Sequence, residues 1–257
     1  MDPIPLVIIS SPKQDRSAPL LNSLHASSIF EVIKLDATMG IDLGAPESLI
    51  TTQELIRFGR ILTQNERACA ISHTRARAVI KNSNFGGVIM EDDARILDIE
   101  LFQKTVCEFL GSNALQKKIL SLLQYHCTNH LSSTRKEQNK LIRLPGSFPL
   151  AVAYSLTPKA AEELNHQSSN TSGISDWPDS NCVYYFLRSG LVRHGDEQTN
   201  SIIGQVEIRT SRIPDLMSKI LTYSEVRMIP RNLARVINWR ITGKIAETMI
   251  NSRQHKC

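Results

Sequence analysis

The order of apolar and polar residues along the chain predicts strands that alternate with helices. Residues 5–10 form a continuous apolar run, which is typical of a strand buried on both faces. Residues 31–37 alternate, so that a second predicted strand ends near Asp36. Further strands are predicted at 87–90, 119–123 and 149–156, and helices at 20–24, 63–81, 98–111 and from 158 onward. This order predicts an α/β domain with a mostly parallel central sheet.

Two helix starts carry clear local signals. Thr63 and Glu66 have the spacing of a capping box, in which the Thr hydroxyl accepts from the Glu backbone N–H and the Glu side chain reaches back. Thr157-Pro158 combines an N-cap residue with a first-turn proline. Residues 176–178 (Asp-Trp-Pro) are predicted to precede another helix.

Composition is that of a globular protein kept in a reducing compartment. The chain has 257 residues, of which 41% are hydrophobic and 21% charged. Its five cysteines are an odd number without a CxxC pair, which indicates free thiols rather than a disulfide framework. No apolar run approaches the ~20 residues that span a bilayer, and the first residues lack a secretory signal. A cytoplasmic protein is expected.

The net charge of +5 is concentrated at one end of the chain. From residue 225 to 257 there are seven basic and two acidic residues, which accounts for the whole excess. Arg227, Arg231 and Arg235 recur every four residues and would line one face of a helix. We expect residues 1–205 to form the main domain and residues 206–257 a basic, helical extension. This extension either lies on an anionic membrane surface, which would make the protein peripheral at the inner face, or packs on the domain with its basic face in water.

Three adjacent acids end the predicted strand 87–90 and form the strongest chemical signal. In an extended segment Glu91 and Asp93 point to one side and Asp92 to the other. Clustered carboxylates repel one another, and a divalent cation relieves that repulsion. The alternative is a solvated acidic turn without a metal.

Other chemistries find little support. Ser72 and His73 lie inside a predicted helix without the glycines of a nucleophile elbow, and His73 is equally explained as a structural histidine. His126, Cys127 and His130 lack the second ligand pair of a structural zinc site. Dinucleotide, P-loop and HExxH motifs are absent from the sequence. Aromatic residues are 5% of the chain and do not interleave with basic ones, so no nucleic-acid partner is expected.

Taken together, the motifs of residues 4–205 resemble glycosyltransferase family 25, the lipooligosaccharide and lipopolysaccharide biosynthesis type. The specific part is Cys69-Ala70-Ile71-Ser72-His73 followed at the family's spacing by Glu91-Asp92-Asp93. The supporting parts are Asp15-Arg16 after the first strand, FEVIKLDATMG at 30–40, Leu62-Thr63 with Glu66, the Ala153-Tyr154 segment and Asp176-Trp177. Asn65 and Ala68 depart from the pattern, because the family has glycine there.

This resemblance implies a metal-dependent nucleotide-diphospho-sugar transferase with a GT-A-like domain. Its donor would be UDP-galactose, used with inversion. The acceptor would be a glycan or glycolipid of lipopolysaccharide or cell-surface polysaccharide biosynthesis. Mn²⁺ or Mg²⁺ would be held by Glu91, Asp92 and Asp93.

The remaining roles also follow from the resemblance. Contacts to the nucleotide sugar are expected from Arg16, Asp36, Ser72, His73 and Trp177. Asp176 is the candidate general base that takes the proton of the acceptor hydroxyl, although an Asp before Trp-Pro is also a good helix N-cap.

Two competing functions belong to other classes. One is a catalytically inactive relative that binds a glycan or a partner at the membrane surface. The other is a membrane- or nucleic-acid-binding module driven by the basic C-terminal residues.

Overall fold

Strands and helices alternate along the chain as the apolar pattern predicts. The computed structural model describes residues 2–25, 27–43, 63–111, 115–124, 141–144, 151–170, 180–187 and 190–195. All of them belong to one structural unit, made of Met1–Gly44 and Thr63–Val206. The predicted extension 206–257 lies outside the described residues, as do Asp176 and Trp177.

The described strands are β1 (Ile4–Ser10), β2 (Phe30–Asp36), β3 (Gly87–Glu91), β4 (Arg95–Ile96), β5 (Lys118–Ser121), β6 (Leu141–Leu144), β7 (Ala153–Leu156), β8 (Val183–Leu187) and β9 (Val192–Arg193). The described helices are α1 (Ala18–Leu24), α2 (Gln64–Lys81), α3 (Ile99–Gly111) and α4 (Pro158–Asn170), with a 3-10 helix at Gly40–Asp42. None of these helices combines the length and the apolar character needed to cross a membrane.

Seven strands form the central sheet in the order β2-β1-β3-β7-β5-β8-β6. Strands β2, β1, β3, β5 and β8 share one direction, whereas β7 and β6 run against it. The mostly parallel mixed α/β architecture is therefore confirmed. Strands β4 and β9 pair separately as a two-stranded antiparallel sheet.

Helices cover both faces of the central sheet. On one face Leu6 and Ile8 of β1 pack in a core with α1 and α3. On the other face Val7 and Ile9 pack in a second core with α2 and α4. Every residue of β1 is buried, which explains why its sequence is a continuous apolar run instead of an alternating one.

Local sequence signals locate most of these elements correctly. The capping box is present: the Thr63 hydroxyl accepts from the Glu66 backbone N–H at 3.1 Å, and the Glu66 carboxylate accepts from the Thr63 N–H at 2.9 Å. The prediction of a helix after residue 178 is wrong for the described residues 180–187, because Val183–Leu187 form strand β8. That segment reads VYYFL, and its aromatic and β-branched residues favour a strand.

Candidate functional site

The acidic triplet lies at the carboxyl edge of the central sheet, beside the loop that follows β1. Strands β1 and β3 are parallel neighbours, and Ile9 of β1 is in register with Glu91. Both strands therefore end at the same edge, where ligands of α/β sheets bind. Glu91, Asp92 and Asp93 nevertheless have three different environments.

Asp92 is anchored to the β1–α1 loop and is 2% exposed. Its Oδ1 accepts from Arg16 Nη2 at 2.7 Å, and its Oδ2 accepts from the Ser11 backbone N–H at 3.1 Å and from the Ser10 hydroxyl at 3.4 Å. Both carboxylate oxygens are thus already engaged within the protein. Asp92 therefore fixes the β1–α1 loop to the end of β3.

Arg16 bridges two acids of the triplet. Besides its contact with Asp92, Arg16 Nη1 lies 3.1 Å from Asp93 Oδ2. The Arg16 side chain is 26% exposed, so it borders the open side of the edge. The adjacent Asp15 carboxylate accepts from the Ser17 backbone N–H at 2.9 Å and forms an ion pair with Lys34 at 2.5 Å. The loop is therefore also tied to β2.

Asp93 has a carboxylate oxygen to which the described residues provide no hydrogen bond. Its side chain is buried, and Oδ1 has no hydrogen-bond partner among the described residues. His194 Nε2 lies 3.7 Å from the other oxygen. Burial and the negative charge of Glu91 raise the pKa of Asp93, against the opposing charges of His194 and Arg16. A cation near Oδ1 would lower that pKa and satisfy the oxygen.

Glu91, Asp93 and His194 together offer three ligand atoms within 4.8 Å of one another. The two carboxylate oxygens suit Mn²⁺ or Mg²⁺, whereas the imidazole nitrogen is a ligand typical of transition metals and so favours Mn²⁺ over Mg²⁺. The unsatisfied Asp93 oxygen gives this fit a physical reason. A second group of comparable spacing, Cys69, His73 and Glu91, shares the glutamate but has a hydrogen bond between its His and Glu.

Glu91 ends a chain of buried hydrogen bonds. His73 has no exposed surface; its Nε2 lies 3.3 Å from Glu91 Oε1, and its Nδ1 lies 3.1 Å from the Tyr154 hydroxyl. Because a carboxylate only accepts, Nε2–H donates to Glu91. In the neutral imidazole with its proton on Nε2, Nδ1 then accepts from the Tyr154 O–H. The Tyr154 oxygen in turn accepts from Arg77. Burial raises the pKa of Tyr154 to about 12, so the hydroxyl keeps its proton.

The Glu91 carboxylate is kept ionised by this surrounding. Burial raises its pKa, but the hydrogen bond from His73 and the positive charges nearby lower it by more, so that the net pKa is below its ordinary value. The side chain retains 26% of its exposure. Glu91 is thus an oriented, charged carboxylate that still reaches solvent.

The edge beyond β2 is organised by α2. The Ser72 hydroxyl accepts from the Thr38 backbone N–H at 2.8 Å and donates to the Ala68 carbonyl at 2.9 Å. Arg75 donates to the Asp36 carbonyl at 3.0 Å. The Asp36 side chain itself is exposed. Ser72 is buried and supports the segment after β2.

The structure therefore gathers Arg16, His73 and the acidic triplet at one place, with Ser72 and Asp36 at the adjoining β2 end. His194 was absent from the sequence-based site, because only the path of the chain after β9 brings it to Asp93. Gly195 shows how close that approach is: a Cβ there would lie 2.7 Å from the Asp93 carbonyl oxygen. No local motif marks this contact.

A mostly parallel α/β sheet with carboxylates at its carboxyl edge is a typical ligand-binding arrangement, and comparison with known families identifies the class of protein. The family model for glycosyltransferase family 25 (LPS biosynthesis protein) matches residues 14–177. The chain belongs to this family and is a glycosyltransferase of LPS biosynthesis, with a nucleotide-sugar donor and a glycan acceptor. No curated protein matches the chain.

Proposed function

We propose that this glycosyltransferase transfers galactose from UDP-galactose, with inversion, to a glycan or glycolipid acceptor through a GT-A-like domain. The observation that carries the proposal is the group formed by Glu91, Asp93 and His194 at the carboxyl edge of β3. An oriented carboxylate, a carboxylate with an unused oxygen and an imidazole converge there. This edge is where a nucleotide diphosphate binds in α/β sheets.

The same three residues are proposed to hold Mn²⁺ or Mg²⁺. When bound, such an ion offsets the charge of the diphosphate and the charge that develops on the leaving UDP. His73 keeps Glu91 charged and oriented through its 3.3 Å contact. Asp92 is proposed to support the metal site indirectly, because both of its oxygens accept hydrogen bonds from the β1–α1 loop, including one from Arg16.

The nucleotide is proposed to bind along the ends of β1 and β2. Arg16 borders the open side next to the triplet, where its guanidinium can donate to a phosphate oxygen. The exposed Asp36 carboxylate can accept from uracil or ribose. Ser72 contributes indirectly, since it holds the backbone of Thr38 beside Asp36.

Asp176 is proposed as the general base and Trp177 as a stacking surface for a sugar, on the strength of the family motif alone. Asp176→Asn should abolish transfer while leaving the affinity for UDP unchanged, because the base acts on the acceptor hydroxyl. Asp179→Asn is a matched control three residues away. Equal transfer by the two variants would remove Asp176 from this role.

Donor and metal are tested together by thermal shift. A panel of UDP- and GDP-sugars is added to the full chain with and without Mn²⁺, since a ligand stabilises by RT ln(1 + [L]/Kd). We expect UDP-galactose to stabilise most, and only with the metal. Asp93→Asn should lose the metal-dependent shift, whereas Asp98→Asn should keep it, because Asp98 is exposed and Asn retains its cap to the Leu101 N–H. A metal-dependent shift that survives in Asp93→Asn contradicts the metal site.

Hydrolysis of UDP-galactose in the absence of acceptor separates this proposal from an inactive glycan- or partner-binding relative. Metal-dependent release of UDP rejects the inactive relative. Binding of the donor without either hydrolysis or transfer would favour it.

We further propose that the basic residues of 206–257 bring the enzyme to an anionic membrane surface, where a lipid-linked acceptor lies. Replacement of Arg227, Arg231 and Arg235 by Gln should abolish flotation with anionic liposomes at low salt. In a control variant with the same change of charge, three lysines on described helices are replaced by Gln: Lys81, Lys104 and Lys159. Equal flotation of both variants would contradict membrane binding and favour packing on the domain.

A further inference from the structure

Two arginines face each other beside the acidic triplet. Arg95 of β4 and Arg193 of β9 are directly paired partners in the two-stranded antiparallel sheet. Side chains of directly opposed residues project from the same face, with Cβ atoms about 5 Å apart. Like charges in this position destabilise a strand pair, so their juxtaposition calls for a compensating anion.

The pair stands on a rigid support. The neighbouring partners, Ile96 and Val192, occupy the other face, and Val192 is completely buried in the core. Strand β9 is also fixed by hydrogen bonds from the Gln124 N–H to the Val192 carbonyl at 2.7 Å and from the Leu191 N–H to the Leu122 carbonyl at 2.7 Å. The two arginines are therefore held on the face opposite the core.

Their hydrogen-bonding capacity is largely unused within the described residues. Arg95 donates through Nη1 to the carbonyls of Ala94 at 2.9 Å and Asp92 at 3.4 Å. The Arg193 side chain is exposed and has no hydrogen bond or ion pair with the described part of the chain. Planar guanidinium groups bind phosphate and carboxylate in a bidentate manner, so a pair of them is a suitable anion receptor.

The position of the pair indicates which substrate carries that anion. Residues 122–124, to which β9 is bonded, follow β5, and β5 lies on the opposite side of β3 from β1 and β2. The proposed nucleotide contacts Arg16 and Asp36 follow β1 and β2. Arg193 is therefore held, through residues 122–124, on the β5 side of Asp93, opposite the proposed donor contacts. Gly195, two residues after Arg193, lies close to the Asp93 carbonyl.

We infer that Arg95 and Arg193 bind a phosphate or carboxylate group of the acceptor, so that the enzyme selects an anionic saccharide. This inference rests on the proposed function, since it uses the proposed placement of the donor. It assigns the acceptor a chemical class and gives Arg193 a specificity role.

The test compares calorimetric binding of glucose 6-phosphate, glucose and UDP to the full chain. Glucose 6-phosphate and glucose differ only in the anion, and UDP reports the donor side. We expect Arg193→Gln to weaken glucose 6-phosphate about tenfold, as for loss of a contact to a charged group, and to leave UDP unchanged. Arg193→Lys should bind glucose 6-phosphate with an affinity between those of the wild type and Arg193→Gln, because lysine keeps the charge but cannot bind an anion in a bidentate manner. Arg143→Gln, an exposed strand arginine at the far edge of the sheet, is the matched control.

Three outcomes overturn the inference, one of them being that Arg193→Gln leaves the affinity for glucose 6-phosphate unchanged. A wild type that binds both sugars equally has no anion receptor, and an Arg193→Gln variant that weakens UDP assigns the arginine to the donor. Absence of UDP binding by the wild type would instead contradict the proposed function, so the two failures are distinguishable.

Discussion

The hydrogen-bond chain behind Glu91 makes a sharp prediction for His73. Replacement by Phe preserves the size of a buried aromatic side chain but removes both hydrogen bonds. The Tyr154 hydroxyl and the Glu91 carboxylate then each lose a partner at a site where His73 has no exposure. Replacement by Gln keeps an amide N–H near the position of Nε2 and can still donate to Glu91.

The magnitude follows from what each variant leaves unpaired. A buried polar group without a partner costs about 1–3 kcal/mol, and Glu91 is relieved in part by its 26% exposure, so His73→Phe should lose roughly 2–3 kcal/mol of folding free energy. For a domain of this size that lowers Tm by about 5–10 °C. Removing a partner that orients a metal ligand weakens metal affinity by roughly 10–100-fold.

The assay is a Mn²⁺ titration of UDP-galactose hydrolysis, repeated across pH. Without the hydrogen bond from His73, the effect of burial dominates and the pKa of Glu91 rises. Mn²⁺ affinity falls at acidic pH as Glu91 is protonated, and this acidic limb of the pH profile should move to higher pH in His73→Phe. His73→Gln should remain within about threefold of the wild type in Mn²⁺ affinity, as expected when the charge-assisted hydrogen bond is kept. If His73→Phe loses stability while its Mn²⁺ affinity and pH limb stay unchanged, His73 is structural and the positioning role is refuted.

Three further predictions concern the same edge. Asp92→Asn should destabilise the fold by about 1–2 kcal/mol in urea titrations and leave Mn²⁺ affinity within a few-fold, because this carboxylate holds the loop; a large loss of affinity would make it a ligand. Gly195→Ala should weaken Mn²⁺ binding, since its Cβ would collide with the Asp93 carbonyl oxygen, whereas Gly111→Ala, with open space around its Cβ, should not. Hydrogen bonds from a lysine of β2 and from a nearby serine hold the pKa of Asp15 below its usual range. Asp15 therefore stabilises the fold above about pH 4, and the stability difference from Asp15→Asn should vanish as the pH falls further; a constant difference would contradict this linkage.

Elements with strong local signals could be predicted from the sequence. The apolar run of β1, the capping box of α2 and the Thr-Pro start of α4 are each signals carried by residues close together in sequence. The apolar pattern does not predict strands β4, β6, β8 and β9. They are short, and their pairing partners lie far along the chain: β8, for example, pairs with β5 and β6. No window of sequence contains that pairing.

The candidate site also has one part that the sequence predicts and another that depends on contacts between distant residues. The position of the acidic triplet at the end of β3 could be predicted, but not its local conformation. Asp92 and Asp93 lie in a turn after β3, in which the Ala94 N–H donates to the Glu91 carbonyl at 3.1 Å, and not in the extended segment that the sequence predicts.

The partners of the three acids could not be predicted. Tyr154 lies 81 residues from His73 in sequence, and His194 reaches Asp93 only through the return of the chain after β9. Such contacts depend on the order of strands in the sheet.

The three consecutive acids therefore have three different environments, from which we expect three different roles. Both oxygens of Asp92 accept hydrogen bonds from the β1–α1 loop, and Glu91 is oriented by His73. Asp93 has a buried oxygen without a hydrogen-bond partner among the described residues. Because these residues are adjacent in sequence, their differences come from tertiary contacts. Single Asn or Gln variants should separate into three signatures: loss of stability at Asp92, a shifted pH limb at Glu91 and loss of metal affinity at Asp93. Three equal losses of metal affinity would mean that the triplet acts as a single ligand set after all.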